Sequence, residues 1–271
     1  MSGKGGKSPA AGAEPAVSPG VSPGISEDRL LGGRLLLRQP VEGYRVAIDP
    51  VLLAAAVPAA PGERALDLGC GVGAAALCLA RRVAGVLVDG LEREPLLVRL
   101  ARENAALNDL ADAVRVFEGD VRTPPVGMRA GALAPERHDH VLCNPPYLER
   151  GAATPSPKVL RAAANLESEA TLGDWVAAAL GMARPGGSVS FIHRADRLDA
   201  LLAVLADGAG EAVVFPLWPK DGKPAKRVIV RAWKGRAGGY VTAPGLVLHQ
   251  ADGRFTDAAE AVLRHAAALT F

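Results

Sequence analysis

Asn144-Pro145-Pro146-Tyr147 follows a short apolar run, His140-Val141-Leu142-Cys143, that reads as a strand ending in a loop. An asparagine amide, two prolines that stiffen the backbone and an aromatic ring can clamp a flat group carrying an exocyclic NH2. The same four residues also make an ordinary proline-rich turn, since Asn-Pro and Pro-Pro punctuate loops. What separates clamp from turn lies upstream, in the elements that position the tetrapeptide.

From residue 64 the chain alternates strand and helix, the pattern of a parallel sheet with right-handed crossovers. The first strand covers Arg64 to Leu68, and the turn Gly69-Cys70-Gly71-Val72-Gly73 leads into a helix over Ala74 to Arg82. A second strand, Val86 to Leu91, ends at Glu92. Pro95 opens a helix to Asn108 with Leu96, Leu97, Leu100 and Leu107 on one face. The third strand, Val114 to Phe117, ends near Asp120, and the fourth, His140 to Cys143, ends at Asn144. A helix over Thr171 to Arg184, a fifth strand (Ser188 to His193), a helix (Arg197 to Ala206), a sixth strand (Ala212 to Leu217) and a seventh (Lys226 to Trp233) follow. The sixth and seventh are joined by a short basic connection and read as a hairpin, so the seventh is antiparallel. Thr256 caps a last helix through Leu263.

Ligands of open α/β sheets bind outside the carboxyl ends of the strands. Four successive strand ends here carry Asp67 with the glycine turn, Glu92, Asp120 and Asn144. Glycines let backbone approach a ligand closely, and the helix after them points its positive end at the site. Glu92 is placed to accept hydrogen bonds from ribose hydroxyls, whereas Asp89 falls inside its strand. Gly69, Gly71 and Ala74 satisfy a dinucleotide fingerprint. Gly69, Gly71 and Gly73 after Asp67 instead suit S-adenosylmethionine, whose amino group Asp67 can bind. The asparagine-proline segment favours the second.

Asp67-Leu68-Gly69-Cys70-Gly71-Val72-Gly73, Glu92, Asp120 and Asn144-Pro145-Pro146-Tyr147 resemble the class I S-adenosylmethionine-dependent amino-group methyltransferases. Leu31-Gly32-Gly33-Arg34, Gln39-Pro40, Gly43-Tyr44-Arg45, Asp49, Pro216-Leu217-Trp218-Pro219 and Lys223-Pro224-Ala225-Lys226-Arg227-Val228 are similar to the bacterial enzymes that methylate N6 of an adenine next to the anticodon of a valine tRNA. The resemblance spans roughly residues 27 to 267. It implies a Rossmann-like α/β fold: a seven-stranded, mostly parallel sheet with the seventh strand antiparallel and helices on both faces. Catalysis is expected from Asn144, Pro145, Pro146 and Tyr147. Asn144 and the Pro145 carbonyl would accept hydrogen bonds from the target NH2, and Tyr147 would stack on the base. Cofactor contacts are expected at Gln39, Tyr44, Arg45, Asp67, Gly69, Cys70, Gly71, Gly73, Glu92, Asp120 and Asn144, with Asp120 on the cofactor adenine.

A formal charge of +2 is too small to draw polyanions to the whole molecule, so RNA affinity must be local. Seven basic residues and one acidic lie between Lys220 and Arg236. Lys220, Lys223, Lys226 and Arg227, joined by Lys158 and Arg161 from a long loop, are the expected RNA-binding group. A tRNA anticodon loop presents splayed bases, which removes much of the unstacking cost. The same clamp would also grip a protein glutamine amide, and a silent RNA-binding module on this fold is the reading outside enzymes. Enzymes acting on glutamine carry a larger helical N-terminal domain, and an intact clamp speaks against silence.

Three cysteines, Cys70, Cys78 and Cys143, give no disulfide framework and fit a reducing cytoplasm. Cys143 reads as a buried thiol, since transfer to an exocyclic nitrogen needs no nucleophile. Five scattered histidines give no metal spacing. The longest apolar run, Val51 to Ala60, is far short of a membrane span. Residues 1–26, rich in Gly, Ser, Pro and Ala, read as a disordered tail. Residues 27–271 read as one methyltransferase domain, within which 27–62 form a preamble packed on the cofactor side, with Asp49 as N-cap of a helix begun by Pro50. Leu148 to Glu169 is long enough to be a lid or substrate loop. Oligomeric state is left open.

Overall fold

The computed structural model describes residues 24–42, 45–124, 133, 135–146 and 170–271. A hairpin of β1 (Ile25–Leu30) and β2 (Leu35–Pro40) precedes helix α1 (Asp49–Ala56). Strand and helix then alternate through β3 (Arg64–Leu68), α2 (Ala74–Arg82), β4 (Leu87–Glu92), α3 (Pro95–Leu107), β5 (Val114–Glu118) and β6 (His138–Cys143). After these come α4 (Leu172–Met182), β7 (Ala183–Arg194), α5 (Leu198–Leu205), β8 (Ala212–Lys220) and β9 (Arg227–Trp233). The short strands β10 (Tyr240–Thr242) and β11 (Leu246–His249) and helix α6 (Asp257–His265) complete the order.

The main sheet runs β5-β4-β3-β6-β7-β9-β8, parallel except for β9, which is antiparallel to both its neighbours. The expected seven strands are therefore present in one sheet, but the sheet has nine. β10 and β11 both pair in parallel with the outer edge of β8, one along Ala212 to Val214 and the other from Leu217 to Lys220. They cover an edge that would otherwise offer unpaired backbone groups. Ala243-Pro244-Gly245 splits them into pieces too short to show a period-2 pattern.

Parallel strands buried on both faces read as apolar runs, and β3 (Arg-Ala-Leu-Asp-Leu) does so. Leu66 and Leu68 pack in one core with Phe191 and Trp175, while Ala65 packs in a second core with residues of α1, α2, α3 and α6. Helices thus lie on both faces. Among the described residues no helix is long and apolar enough to cross a membrane.

The preamble is held by an arrangement that the leucine pattern of α3 does not reveal. Asn108 accepts from the Leu36 N–H at 2.8 Å and donates to the Leu36 carbonyl at 2.7 Å. One turn earlier, Asn104 accepts from the Arg38 N–H at 2.8 Å and donates to the Arg38 carbonyl at 2.9 Å. Two side-chain amides spaced four apart stand in for a neighbouring strand along β2. Asn104 also donates to the Val72 carbonyl at 3.0 Å, so the end of β2 is tied to the glycine turn. This use of α3 turns its buried face to Val98, Leu100, Ala101, Asn104 and Ala105, and Leu96 is left 44% exposed, contrary to the expected leucine face.

Several boundaries differ from expectation, among them the end of the helix expected to reach Arg184, which stops at Met182. β1 begins at Ile25, inside the segment read as tail, because Ile25 pairs with Pro40; residues 1–23 lie outside the described residues, as does the loop expected from 148 to 169. Asp49 is the first helical residue rather than the N-cap, since Ile48 already has helical φ and ψ, and its carboxylate bonds Arg227 at 3.2 Å. β7 starts at Ala183, opposite His138, and its ladder shifts register before regular pairing resumes at Ser188.

Replacing Asn104 with alanine leaves the Arg38 N–H and the Arg38 and Val72 carbonyls without this partner. Asn104→Ala should therefore lower unfolding stability by at least about 2 kcal/mol. Urea denaturation with an unchanged m-value checks it.

Candidate active site

β3 and β6 pair in parallel with Leu68 level with Cys143, so Gly69 and Asn144 leave the sheet at the same height on adjacent strands. Pro145 is buried, Asn144 partly exposed and Pro146 exposed. Cys143 is fully buried, and burial raises its thiol well above the usual range, as it does for Cys70. Neither is poised as a thiolate.

The glycine turn carries two different constraints. A Cβ on Gly69 would sit 2.4 Å from Cη2 of Trp175, the indole that α4 lays against the turn. Gly71, at φ +56°, instead faces open space, with nothing within 4 Å of where a Cβ would stand. The first glycine is needed for packing and the second keeps room on the ligand side. Trp175 gives no signal of this role in the sequence, where it is one apolar residue in the first turn of a helix begun by a Thr171–Asp174 capping box.

Asp67 lies at the base of the turn, and its Oδ2 accepts from the Ala76 N–H at 3.1 Å. Burial, reinforced by the charge of Glu92, pushes its carboxyl up to about 7, against the lowering effect of that hydrogen bond. Glu92 bridges two strand ends. Its Oε2 accepts from the Gly71 N–H and its Oε1 from the Arg93 and Glu94 N–H groups, each at 2.9 Å. The Glu92 carbonyl accepts from the Gly119 N–H at 2.9 Å, which carries the link to the turn after β5. There, Asp120 is gripped by Arg122 at 2.9 and 2.7 Å. Those bonds hold its carboxyl down at about 2.

Asp89 does not reach this edge. It is buried within β4 and bonded by Arg115 at 2.8 Å, His138 at 3.1 Å and Arg64 at 3.2 Å. Burial alone would raise its carboxyl, but the bonds from His138 and Arg115 outweigh it and hold it below the usual range.

The structure brings Asp67, the glycines, Glu92, Asp120 and Asn144 to one edge of the sheet. Gln39 belongs to the preamble beside them, where its amide donates to Asp28 at 2.7 Å and accepts from the Val46 N–H at 2.8 Å. Arg45 bonds Asp28 at 2.7 Å, so both residues shape the connection to α1. Tyr44, Tyr147, Lys158 and Arg161 lie outside the described residues. Lys220, Lys223, Lys226 and Arg227 occupy the same carboxyl edge farther along, at the end of β8 and the start of β9. Lys223 and Lys226 are exposed, while Lys220 donates to the Ala251 carbonyl at 3.1 Å. Among the described residues no three His, Cys, Asp or Glu side chains gather as a metal site.

The strand order, with antiparallel β9 between β7 and β8 and a glycine turn after the central strand, is that of the class I methyltransferases. The sequence comparisons agree with it. A family model, the methyltransferase small domain, matches residues 46–173. The tRNA1(Val) (adenine(37)-N6)-methyltransferase of Aeromonas hydrophila is 31% identical over 217 residues, covering 79% of this chain and 86% of that protein. The enzyme of the same name from Dickeya chrysanthemi is 27% identical over 226 residues, with 81% and 86% covered. Among solved structures, a predicted O-methyltransferase from Agrobacterium tumefaciens superposes with a TM-score of 0.66 at 27% identity, covering 82% of this chain and 98% of its own. The chain belongs to the tRNA1(Val) (adenine(37)-N6)-methyltransferase family.

The raised value of Asp67 fixes the sign of a pH effect. Its ordinary value is 3.8 and its folded value about 7, so the folded state holds the proton more tightly. Its stabilising contribution is complete below about pH 4 and is lost as pH rises through about 7. Asp67→Asn, neutral throughout, should remove that decline. The measurement is Tm against pH for ligand-free wild type and variant, whose difference should open between about pH 4 and 7 in favour of the variant.

Proposed function

We propose that the protein transfers the methyl group of S-adenosylmethionine to the exocyclic N6 of an adenine in the anticodon loop of a tRNA. The observation that carries this reading is the β3–β6 register, which sets Asn144-Pro145 beside the glycine turn at one height.

The residues at the turn suit the cofactor. Open space and a left-handed backbone at Gly71 leave room for a ligand's backbone contact, and Asp67 is a buried carboxyl whose ionised form a ligand ammonium would stabilise. Glu92 would take the ribose hydroxyls, exchanging its bond to Gly71, and Asp120 the adenine amino group. Gln39, Tyr44, Arg45 and Cys70 complete the proposed cofactor contacts. Bound there, S-adenosylmethionine supplies an electrophilic methyl group on a sulfonium that is also the leaving group.

Asn144 Oδ1 and the Pro145 carbonyl accept hydrogen bonds from the target NH2. This draws the nitrogen lone pair out of conjugation with the ring and aims it at the glycine side. Pro146 stiffens the segment, and Tyr147 stacks on the base. Positioning supplies the rate, so no acid–base residue needs a tuned pKa. The methylated nitrogen, left cationic as the sulfonium departs as a neutral thioether, then releases its proton to solvent.

Lys220, Lys223, Lys226 and Arg227, with Lys158 and Arg161, would bind tRNA phosphates. That basic edge, together with the tRNA enzymes among the relatives, supports RNA over a protein amide as substrate. A tRNA partner in turn implies a cytoplasmic setting. Residues 27–271 would act as one domain, with 27–62 closing the cofactor side through the Asn104 bonds.

Asn144→Ala should abolish methyl transfer while S-adenosylmethionine binding, followed by calorimetry, persists with only the modest loss of the Asn144 contact. Turnover at the wild-type rate in that variant would remove Asn144 from the chemistry.

A further inference from the structure

The carboxyl edge of the sheet is divided by charge. Asp67 lies near the end of β3, Glu92 ends β4 and Asp120 follows β5, whereas Arg194, Lys226, Arg227 and Lys220 stand at the β7, β9 and β8 side of Asn144. On the second side the basic groups outnumber the acidic ones, which favours a polyanion there.

At the seam, the ladder sets two arginines face to face. Arg194 is the direct cross-strand partner of Arg227 in the antiparallel β7–β9 pair. Like charges directly opposite one another destabilise a sheet, and here each arginine is offset by a carboxylate of its own. Arg194 is bonded by Asp196 at 2.9 Å and Arg227 by Asp49 at 3.2 Å. The Arg194–Asp196 pair is about half exposed on both sides, with relative side-chain exposures of 47% and 59%, so it contributes little and a phosphate can compete for the guanidinium. Arg197 follows in the turn that leads into α5.

His193, buried beneath this lip, has its proton affinity lowered by burial first and then by the charges of Arg197, Arg194 and Arg227. The three arginine charges are all felt at this end of β7, where Arg194 and Arg227 are paired across the ladder. The Ala195 N–H donates to the Lys226 carbonyl at 3.1 Å, which makes the exit of β7 continuous with the basic connection that carries Lys223 and Lys226. Cys143 is level with Phe191, so Asn144 is level with Ile192, and Arg194 stands two residues farther out on the adjacent strand. Strand spacing and rise place the two about 8 Å apart.

We propose that Arg194 and Arg197, with Arg227 opposite, form the subsite for the backbone phosphate of a nucleotide flanking the target base. The inference rests on the RNA reading above and adds to it the residues that hold the strand beside the clamp. A guanidinium pair on one phosphate gives bidentate, oriented contact that lysines on a flexible connection do not. The corner fixes where the strand lies relative to Asn144, while the lysines contribute general attraction.

The test compares wild type with Arg194→Gln, the double variant Arg194→Gln/Arg197→Gln, and Arg194→Lys. Each is assayed for methylation of unmodified tRNA, for S-adenosylmethionine affinity by calorimetry, and for tRNA affinity across a salt series. The double variant should raise KM for tRNA at least tenfold and reduce the log–log salt slope by about 0.7 per lost phosphate contact. Cofactor affinity should stay within twofold of wild type, which also reports a folded protein. Arg194→Lys should keep the wild-type salt slope while losing part of the affinity, because charge is retained and the planar fork is not. If wild type methylates tRNA and the glutamine variants match it in KM and salt slope, the corner is overturned and the proposed function stands. If wild type methylates no RNA, the proposed function falls and the corner with it. Should the double variant lose cofactor binding, the half-exposed single Arg194→Gln decides by the same two readouts.

Discussion

The parallel pairing of β3 with β6 is the constraint on which the site depends. Because Leu68 and Cys143 are level, the glycine turn and Asn144 leave the sheet together, and a shift of one residue in either strand would send the asparagine to the opposite face. The register is secured by burial on both faces: Leu66 and Val141 face one core, and Ala65 and Leu142 the other. Around it the neighbouring strand ends are stitched by Glu92, whose carboxylate holds Gly71 and whose carbonyl holds Gly119. A single residue, through its carboxylate and its backbone carbonyl, thus couples the ends of β3, β4 and β5.

Helices complete the positioning from both faces. Trp175 packs on Gly69 from α4, and Asn104 on α3 fastens β2 to Val72 at the far end of the same turn. The glycine turn is therefore braced by one aromatic ring and one amide, neither of which carries charge. At the edge itself, the carboxylates Asp67, Glu92 and Asp120 and the arginines Arg194 and Arg227 occupy opposite sides of Asn144. That division suits a reaction between a cationic cofactor and a polyanionic substrate, since each is attracted to its own half.

Much of this was legible in the sequence, for identifiable reasons. Arg64 to Leu68 and Ala74 to Arg82 have the predicted limits because a glycine-rich turn separates a short apolar run from an alanine-rich one. The strand-end carboxylates were readable because topology dictates that chemistry gathers there. Leu96, Leu97, Leu100 and Leu107 misdirected the reading of α3, since periodicity counts apolar residues and is blind to amides that mimic a strand. β10 and β11 were missed because three- and four-residue strands borrow their pairing from a distant edge. Trp175 and the Arg194–Arg227 pairing are products of tertiary register and have no local signature.

The central claim is that the clamp presents an adenine N6 of tRNA to the methyl group. The most direct measurement incubates the full chain with methyl-labelled S-adenosylmethionine and, in separate reactions, unmodified tRNA, ribosomal RNA and soluble protein, followed by nucleoside and amino-acid analysis by mass spectrometry. The account predicts label in tRNA as N6-methyladenosine. Label in protein glutamine, or in an RNA nucleoside methylated at any other atom, would contradict it.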